Sequence, residues 1–358
     1  MALTQSERST FERICKLSSG DLGVELSPAV AKALIYLCAR DLGLQGFSNQ
    51  LSDQLGELFN VDPPSSLAFN DSEDVLSLFD RFLRAAGGDG DTYFACIGTI
   101  HKARLKYEKI LKSQPIPTME QVGPRGLLQY GALEGSSLAS LLLWRKWMFD
   151  LDNRAGQETG YLFEPIIASA IGGAPAASSK SPVRRRKDRN KGRQVDVIKG
   201  NLAYEIKLRV TIAASGQGRW REELDFPLDC VESKYTPVLV VLDSTANPKL
   251  TELRKAFKAA GGMDYVGEEA WNHLEASAGP TMATFIDKYV KIPLQDLLDS
   301  APNEFELPDF SISQSASGIT FTVGDDSWTV TRGKIDPQLA TGADILPEDI
   351  EDGILGGL

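Results

Sequence analysis

The stretch Gln194–Arg209 constrains this chain more than any other. It holds two runs of alternating character, Gln194–Lys199 and Leu202–Val210, joined by Gly200-Asn201. β-Branched and aromatic residues on either side of such a pair predict a β-hairpin. Side chains two apart on a strand share a face. Tyr204, Ile206 and Leu208 therefore form an apolar face that predicts burial. Glu205, Lys207 and Arg209 form the opposite face, and an acid, a lysine and an arginine in a row call for a partner. Asp196 on the first strand comes near Glu205 if the hairpin pairs tightly.

The charge distribution gives that face a neighbour. The net charge is −11, which by itself argues against a nucleic-acid binder. Yet Lys180, Arg184, Arg185, Arg186, Lys187, Arg189, Lys191 and Arg193 stand against one acid, Asp188, directly before the hairpin. A basic block inside an acidic protein can form a localised phosphate-binding site. Taken alone it reads equally well as a solvated, disordered loop; its position before the hairpin favours the site.

The rest of the chain supplies the frame. Residues 1–150 read as mostly helical: Ser27-Pro28 opens Ala29–Leu42, followed by Ser48–Phe59, Ser72–Ala86, Thr92–Leu111 and Ser136–Phe149. Lys102, Arg104, Lys106 and Lys109 read as a solvated face of the fourth of these. Asp152-Asn153 offers a cap for a further helix to about Ile171. There Glu164 lies within an apolar run and is drawn inward, since a carboxylate in such a setting needs a partner or a role. Thr211–Gly218 reads as a loop and Arg219–Asp229 as helical. Thr236–Asp243 is a continuous apolar run, as in a central strand buried on both faces. Helices are predicted from Pro248 to Ala260, over Gly267–Ala278 and over Thr281–Val290, then a second hairpin, Gly318–Val323 with Ser327–Thr331. The end, from Lys334, reads as an acidic, disordered tail. The fold class is α/β (α+β), a central mixed sheet flanked by helices. The four cysteines have no metal-ligand spacing and suit a reduced cytoplasm. No apolar run reaches membrane-spanning length.

Asp196 and Glu205 can offer carboxylate oxygens to a hard divalent cation such as Mg²⁺, which needs only one or two protein carboxylates beside water and phosphate oxygens. Glu164 can add a ligand through water. Lys207, on the face of Glu205, can orient or deprotonate an attacking water and neutralise charge on a phosphate. A second Glu-x-Lys triplet, Glu232-Ser233-Lys234, has no hairpin partner. Without a metal, Glu205 and Lys207 would read as cross-strand ion pairs on an exposed strand.

Asp196 with Glu205-Ile206-Lys207, preceded by a helix bearing Glu164 and followed by an apolar strand, resembles the PD-(D/E)XK nuclease superfamily. The likeness covers roughly residues 154–244, with Val195 where the family often has proline. It implies a restriction-endonuclease-like core, with Asp196, Glu205 and Lys207 catalytic and Glu164 assisting, and Mg²⁺ (replaceable by Mn²⁺) held by Asp196, Glu205 and Glu164. Within that superfamily the chain is most like a type II restriction endonuclease. This implies a homodimer cutting double-stranded DNA at a short sequence, paired with a cognate DNA methyltransferase. Arg184, Arg185, Arg186, Lys187, Arg189, Lys191, Arg193, Arg209, Arg219 and Arg221, with Trp220, are then candidate DNA contacts. A repair or recombination nuclease of the same superfamily, or a non-catalytic DNA-binding protein, would use the same residues differently. The expected organisation is a helical region over 1–150, a nuclease core over 151–300, a β-hairpin extension over 301–335 and an acidic tail over 336–358.

Overall fold

Local signals start the helices where the sequence places them. Thr4 and Glu7 form a capping box ahead of α1 (Gln5–Cys15). Ser27 accepts from the Val30 N–H and Pro28 fills the first turn of α2 (Pro28–Asp41). Asp74 caps α3 (Val75–Ala86), and α4 (Gly90–Ser113) follows. The structure, a computed structural model, describes residues 3–16, 23–47, 73–208, 217–243, 245, 248–300, 307–316 and 318–332, without the side chains of 157–161 and 217–219. The helix expected over 48–59, most of the loop expected over 211–218, and the tail from residue 334 lie outside the described residues.

The cations of α4 are not a solvated face throughout. Lys102 donates to the Ile14 and Lys16 carbonyls and Lys109 to the Gly23 carbonyl, fastening the segment after α1. α5 (Met119–Gly126) and a short 3-10 turn lead to α6 (Gly135–Ala170). This corrects the expectation of two helices capped at Asp152-Asn153: α6 runs unbroken for 36 residues. A cap contributes only about 1 kcal/mol. Trp147 and Leu151 on one side of that pair, and Ile166 and Ile167 on the other, are each buried and hold the helix continuous.

After α6 come β1 (Ala174–Ala176), β2 (Arg184–Arg185), β3 (Asp188–Gly192), β4 (Val195–Lys199) and β5 (Leu202–Lys207). α7 (Gln217–Glu232), β6 (Thr236–Val241), α8 (Pro248–Ala259), β7 (Met263–Val266), α9 (Glu268–Ile286), a π-helical turn Asp287–Lys291 and α10 (Ile292–Asp299) follow. Within α9, Gly279 (φ 74°) breaks the backbone, so the two helices expected there are present. The five-stranded sheet has the order β1-β4-β5-β6-β7. The β1, β4 and β5 pairings are antiparallel, and those of β5 with β6 and β6 with β7 parallel. Gly200, at φ 59°, turns β4 into β5, and Lys199 pairs with Leu202.

Both faces of this sheet are covered, because β6 is apolar on both. Val197, Tyr204, Ile206, Val238 and Val240 face a cluster that runs from Phe11 on α1 to Val290. Val195, Ala203, Leu239 and Val241 face Phe226 and Cys230 of α7 and Leu253 and Phe257 of α8. A separate three-stranded sheet, β8 (Phe310–Gln314), β9 (Gly318–Val323) and β10 (Asp326–Thr331), packs Ile319 and Val330 against Ile110, Leu111 and Trp147. Strands β9 and β10 are the hairpin expected from the sequence. No helix among the described residues is long and apolar enough to cross a membrane.

Candidate active site

The partner for the polar face of β5 is α7. Phe226 and Cys230 pack on the sheet, and Glu223, three residues before Phe226, is carried to the same side by helical spacing. Between α7 and the sheet lies a cavity of about 250 Å³, lined by Glu164, Asp196, Glu205, Lys207, Glu222 and Glu223 together with Arg185 and Arg193. The carboxylates expected on β4, β5 and the preceding helix thus share one space with the expected lysine. Glu223 is not singled out by the sequence, although its spacing from Phe226 and Cys230 is the available signal.

Asp196 is buried, 8% exposed, and its Oδ2 accepts the Ile206 N–H at 2.7 Å. Lys207 Nζ sits 3.1 Å from Glu205 Oε1 and 3.5 Å from Glu223 Oε2. Burial pushes the Asp196 carboxyl well above the usual carboxylate range, and the charges of Glu205 and Glu164 push it further; the Ile206 N–H and Lys207 oppose the shift. Burial would lower Lys207, but Glu205, Glu223 and Asp196 outweigh it and hold the ammonium above its ordinary pKa. Lys207 is therefore a cation at neutral pH.

Crowded, desolvated carboxylates of this kind suit a divalent cation, whose charge relieves their repulsion. Asp196 and Glu205 offer the one or two carboxylates that Mg²⁺ requires. Among the described residues no group of three or more His, Cys, Asp or Glu side chains is close enough to hold a metal. Glu164 lines the cavity without completing such a group.

The basic block folds as the hairpin β2–β3 against α7. Gly192 lets the segment before β2 close on the hairpin, since a Cβ there would meet the Ser178 carbonyl oxygen at 1.9 Å. Arg193 is buried: its guanidinium lies 3.5 Å from Asp229 Oδ2, donates to the Glu222 carbonyl and sits over the Phe226 ring. The Arg186 N–H donates to Asp229 Oδ1 at 2.8 Å. Arg185, Arg186, Lys187 and Arg189 pair with acids of α7, and Lys191 with Asp188. Arg184 is exposed beside them and Arg221 is exposed on α7, while Trp220 donates to Glu252 Oε2 at 3.2 Å. Arg209 and the side chain of Arg219 lie outside the described residues. The second Glu-x-Lys triplet is apart from the cavity: Glu232 ends α7 and pairs with Arg189, and Lys234 takes φ 67° in the turn to β6.

Residues 64–291, a span that includes this whole cavity, match the model of a family described as ApaLI-like restriction endonuclease. The chain is also 48% identical over 287 residues to the type II restriction enzyme ApaLI of Acetobacter pasteurianus, an alignment covering 76% of each. No solved structure matches the chain.

Proposed function

Because the chain belongs to the ApaLI-like restriction endonuclease family and is accordingly a type II site-specific deoxyribonuclease, we propose that it hydrolyses double-stranded DNA with Mg²⁺ at the cavity between β4, β5 and α7. The observation that carries this reading is the convergence of Asp196, Glu205 and Lys207 on one space, with Asp196 fixed by the Ile206 N–H. We assign the site to the PD-(D/E)XK superfamily on that arrangement.

Asp196 and Glu205 would hold the metal, and Glu164 would assist through water. When bound, Mg²⁺ supplies a more acidic water and offsets phosphate charge. Lys207 works as a cation: it orients the attacking water and neutralises charge that builds on the phosphate oxygens. Its raised pKa favours this role over proton abstraction. Glu223 keeps the ammonium in place from the side opposite the strand. Arg184, Arg185 and Lys191 lie where phosphates flanking the cut would pass.

Each chain brings one such cavity among its described residues, so cutting both strands calls for a homodimer, with a cognate DNA methyltransferase protecting the host cytoplasm's own DNA. Purified protein with Mg²⁺ is expected to cut plasmid DNA into discrete fragments, chelation is expected to stop it, and Asp196→Ala is expected to be inactive. A continuous smear would instead favour a repair or recombination nuclease, and intact DNA across a range of metals would overturn the nuclease reading.

A further inference from the structure

A chain of net charge −11 must bring a polyanion to a cavity lined by several of its carboxylates. The surface available for this is the hairpin β2–β3. Arg185 lines both the carboxylate cavity and a neighbouring hollow of about 520 Å³ formed with Ser178, Ser179, Arg184, Asn190 and Lys191. Phosphates reaching Asp196 and Glu205 therefore pass this hairpin.

Its cations are already engaged. Arg185 Nη1 lies 2.6 Å from Glu222 Oε1. Arg186 Nη2 lies 3.4 Å from Asp225 Oδ1, and Lys187 holds Oδ2 of the same carboxylate. Arg189 Nη2 lies 2.9 Å from Glu232 Oε2. Glu222, Asp225 and Glu232 are spaced by three and seven along the side of α7 that carries the hairpin; Glu222 also lines the carboxylate cavity beside Glu223, whereas Asp225 and Glu232 lie outside its lining.

The hairpin has anchors other than these acids. The buried Arg193–Asp229 pair, the Arg186 N–H on Asp229 and the Arg193 N–H on the Val183 carbonyl already fix it. The outer pairs are exposed to water, where ion pairs add little to stability. They do occupy the donor directions through which arginine grips a phosphate.

We propose that Glu222, Asp225 and Glu232 are specificity-determining residues that act as an internal competitor for DNA phosphates. They weaken the sequence-independent part of binding, so that a duplex displaces them only when base contacts at the recognition sequence add to the phosphate contacts. This inference rests on the nuclease reading above.

The test is binding of a duplex without the recognition sequence, followed by fluorescence anisotropy across a salt series without metal, using the full-length protein. Asp225→Asn and Glu232→Gln are each expected to tighten binding about fivefold or more. The log–log salt slope is expected to steepen by about 0.9 for each additional phosphate that the freed cations neutralise. Mismatched sites are expected to be cut faster relative to the cognate site. Melting temperatures identify any variant that fails to fold, and the two residues stand far enough apart on α7 to serve as independent replicates. Unchanged affinity and slope in folded variants would overturn the proposal, and so would weaker binding, which would make the acids positioning groups. Wild-type cleavage measured in parallel separates the readings: if it cuts discrete sites while the variants bind as wild type does, only the competitor idea fails.

Discussion

Lys207→Ala is expected to lower the rate of DNA cleavage by about a hundredfold or more at saturating Mg²⁺, while DNA affinity measured without turnover stays close to that of wild type. The side chain is 16% exposed and its Nζ is held between Glu205 and Glu223. A charge already fixed in place needs no reorganisation when phosphate charge develops, which is why its removal acts on rate more than on binding. The substitution also leaves Asp196, Glu205 and Glu223 short of a cation, so a lower melting temperature is expected with it. Lys207→Arg separates the two effects: it keeps the charge and restores most of the stability, but its planar, bulkier head misplaces that charge and recovers little rate. Glu223→Gln is expected to fall between, with about a tenfold loss in rate. Single-turnover cleavage with enzyme in excess decides the matter. A folded Lys207→Ala enzyme cutting within a few-fold of wild type would remove Lys207 from the chemistry.

What the sequence shows of this site follows from the range of its signals. The β4–β5 hairpin is legible because its information is local: Gly200-Asn201 at the turn, alternation on either side, and a register with Lys199 opposite Leu202. The buried central strand β6 is legible from its unbroken apolar run. By contrast β1 and β7 are short and carry no periodic pattern; Met263–Val266 becomes a strand because it is parallel to β6 and covered by α8 and α9. The continuity of α6 was hidden by Asp152-Asn153, where a real local cap signal loses to packing on both sides. The basic block is the instructive case. Its charge is visible in the sequence, but its partners on α7 lie 29 to 43 residues away. No local pattern reveals that an arginine such as Arg193 is buried on Asp229 while Arg184 remains outside. Glu223 falls between these cases, since its face of α7 follows from the spacing of Phe226 and Cys230 but its contact with Lys207 does not.

Asp41→Ala is expected to destabilise the protein by about 3 kcal/mol, the largest stability effect anticipated outside the apolar core. Asp41 is the last residue of α2 and its side chain is fully buried. A carboxylate at a helix C-terminus faces the negative end of the helix dipole, so it persists there only with strong partners. The structure supplies them from three elements. Tyr93 of α4 donates its hydroxyl to Oδ2 at 3.3 Å, and Tyr289 of the π-helical turn donates to the same oxygen. Lys288 reaches Oδ1 at 2.6 Å, and Arg40 stands 3.4 Å away. Burial, then the Asp41 charge, raises both phenols above their usual pKa, so each remains a donor at neutral pH. Alanine removes the carboxylate that accepts from both hydroxyls, and each hydrogen bond lost to a charged group costs roughly 1.5–3 kcal/mol. Lys288 is partly exposed and regains water, which limits the loss. The network joins the N-terminal helices to the segment beyond α9, so its failure should loosen both together in one transition. Chemical denaturation of Asp41→Ala and Tyr289→Phe, alone and combined, measures this. If Asp41 is the hub, adding Tyr289→Phe to Asp41→Ala changes stability far less than Tyr289→Phe does in the wild-type background. Additive losses, or an Asp41→Ala protein as stable as wild type, would mean that the buried carboxylate does not join these elements.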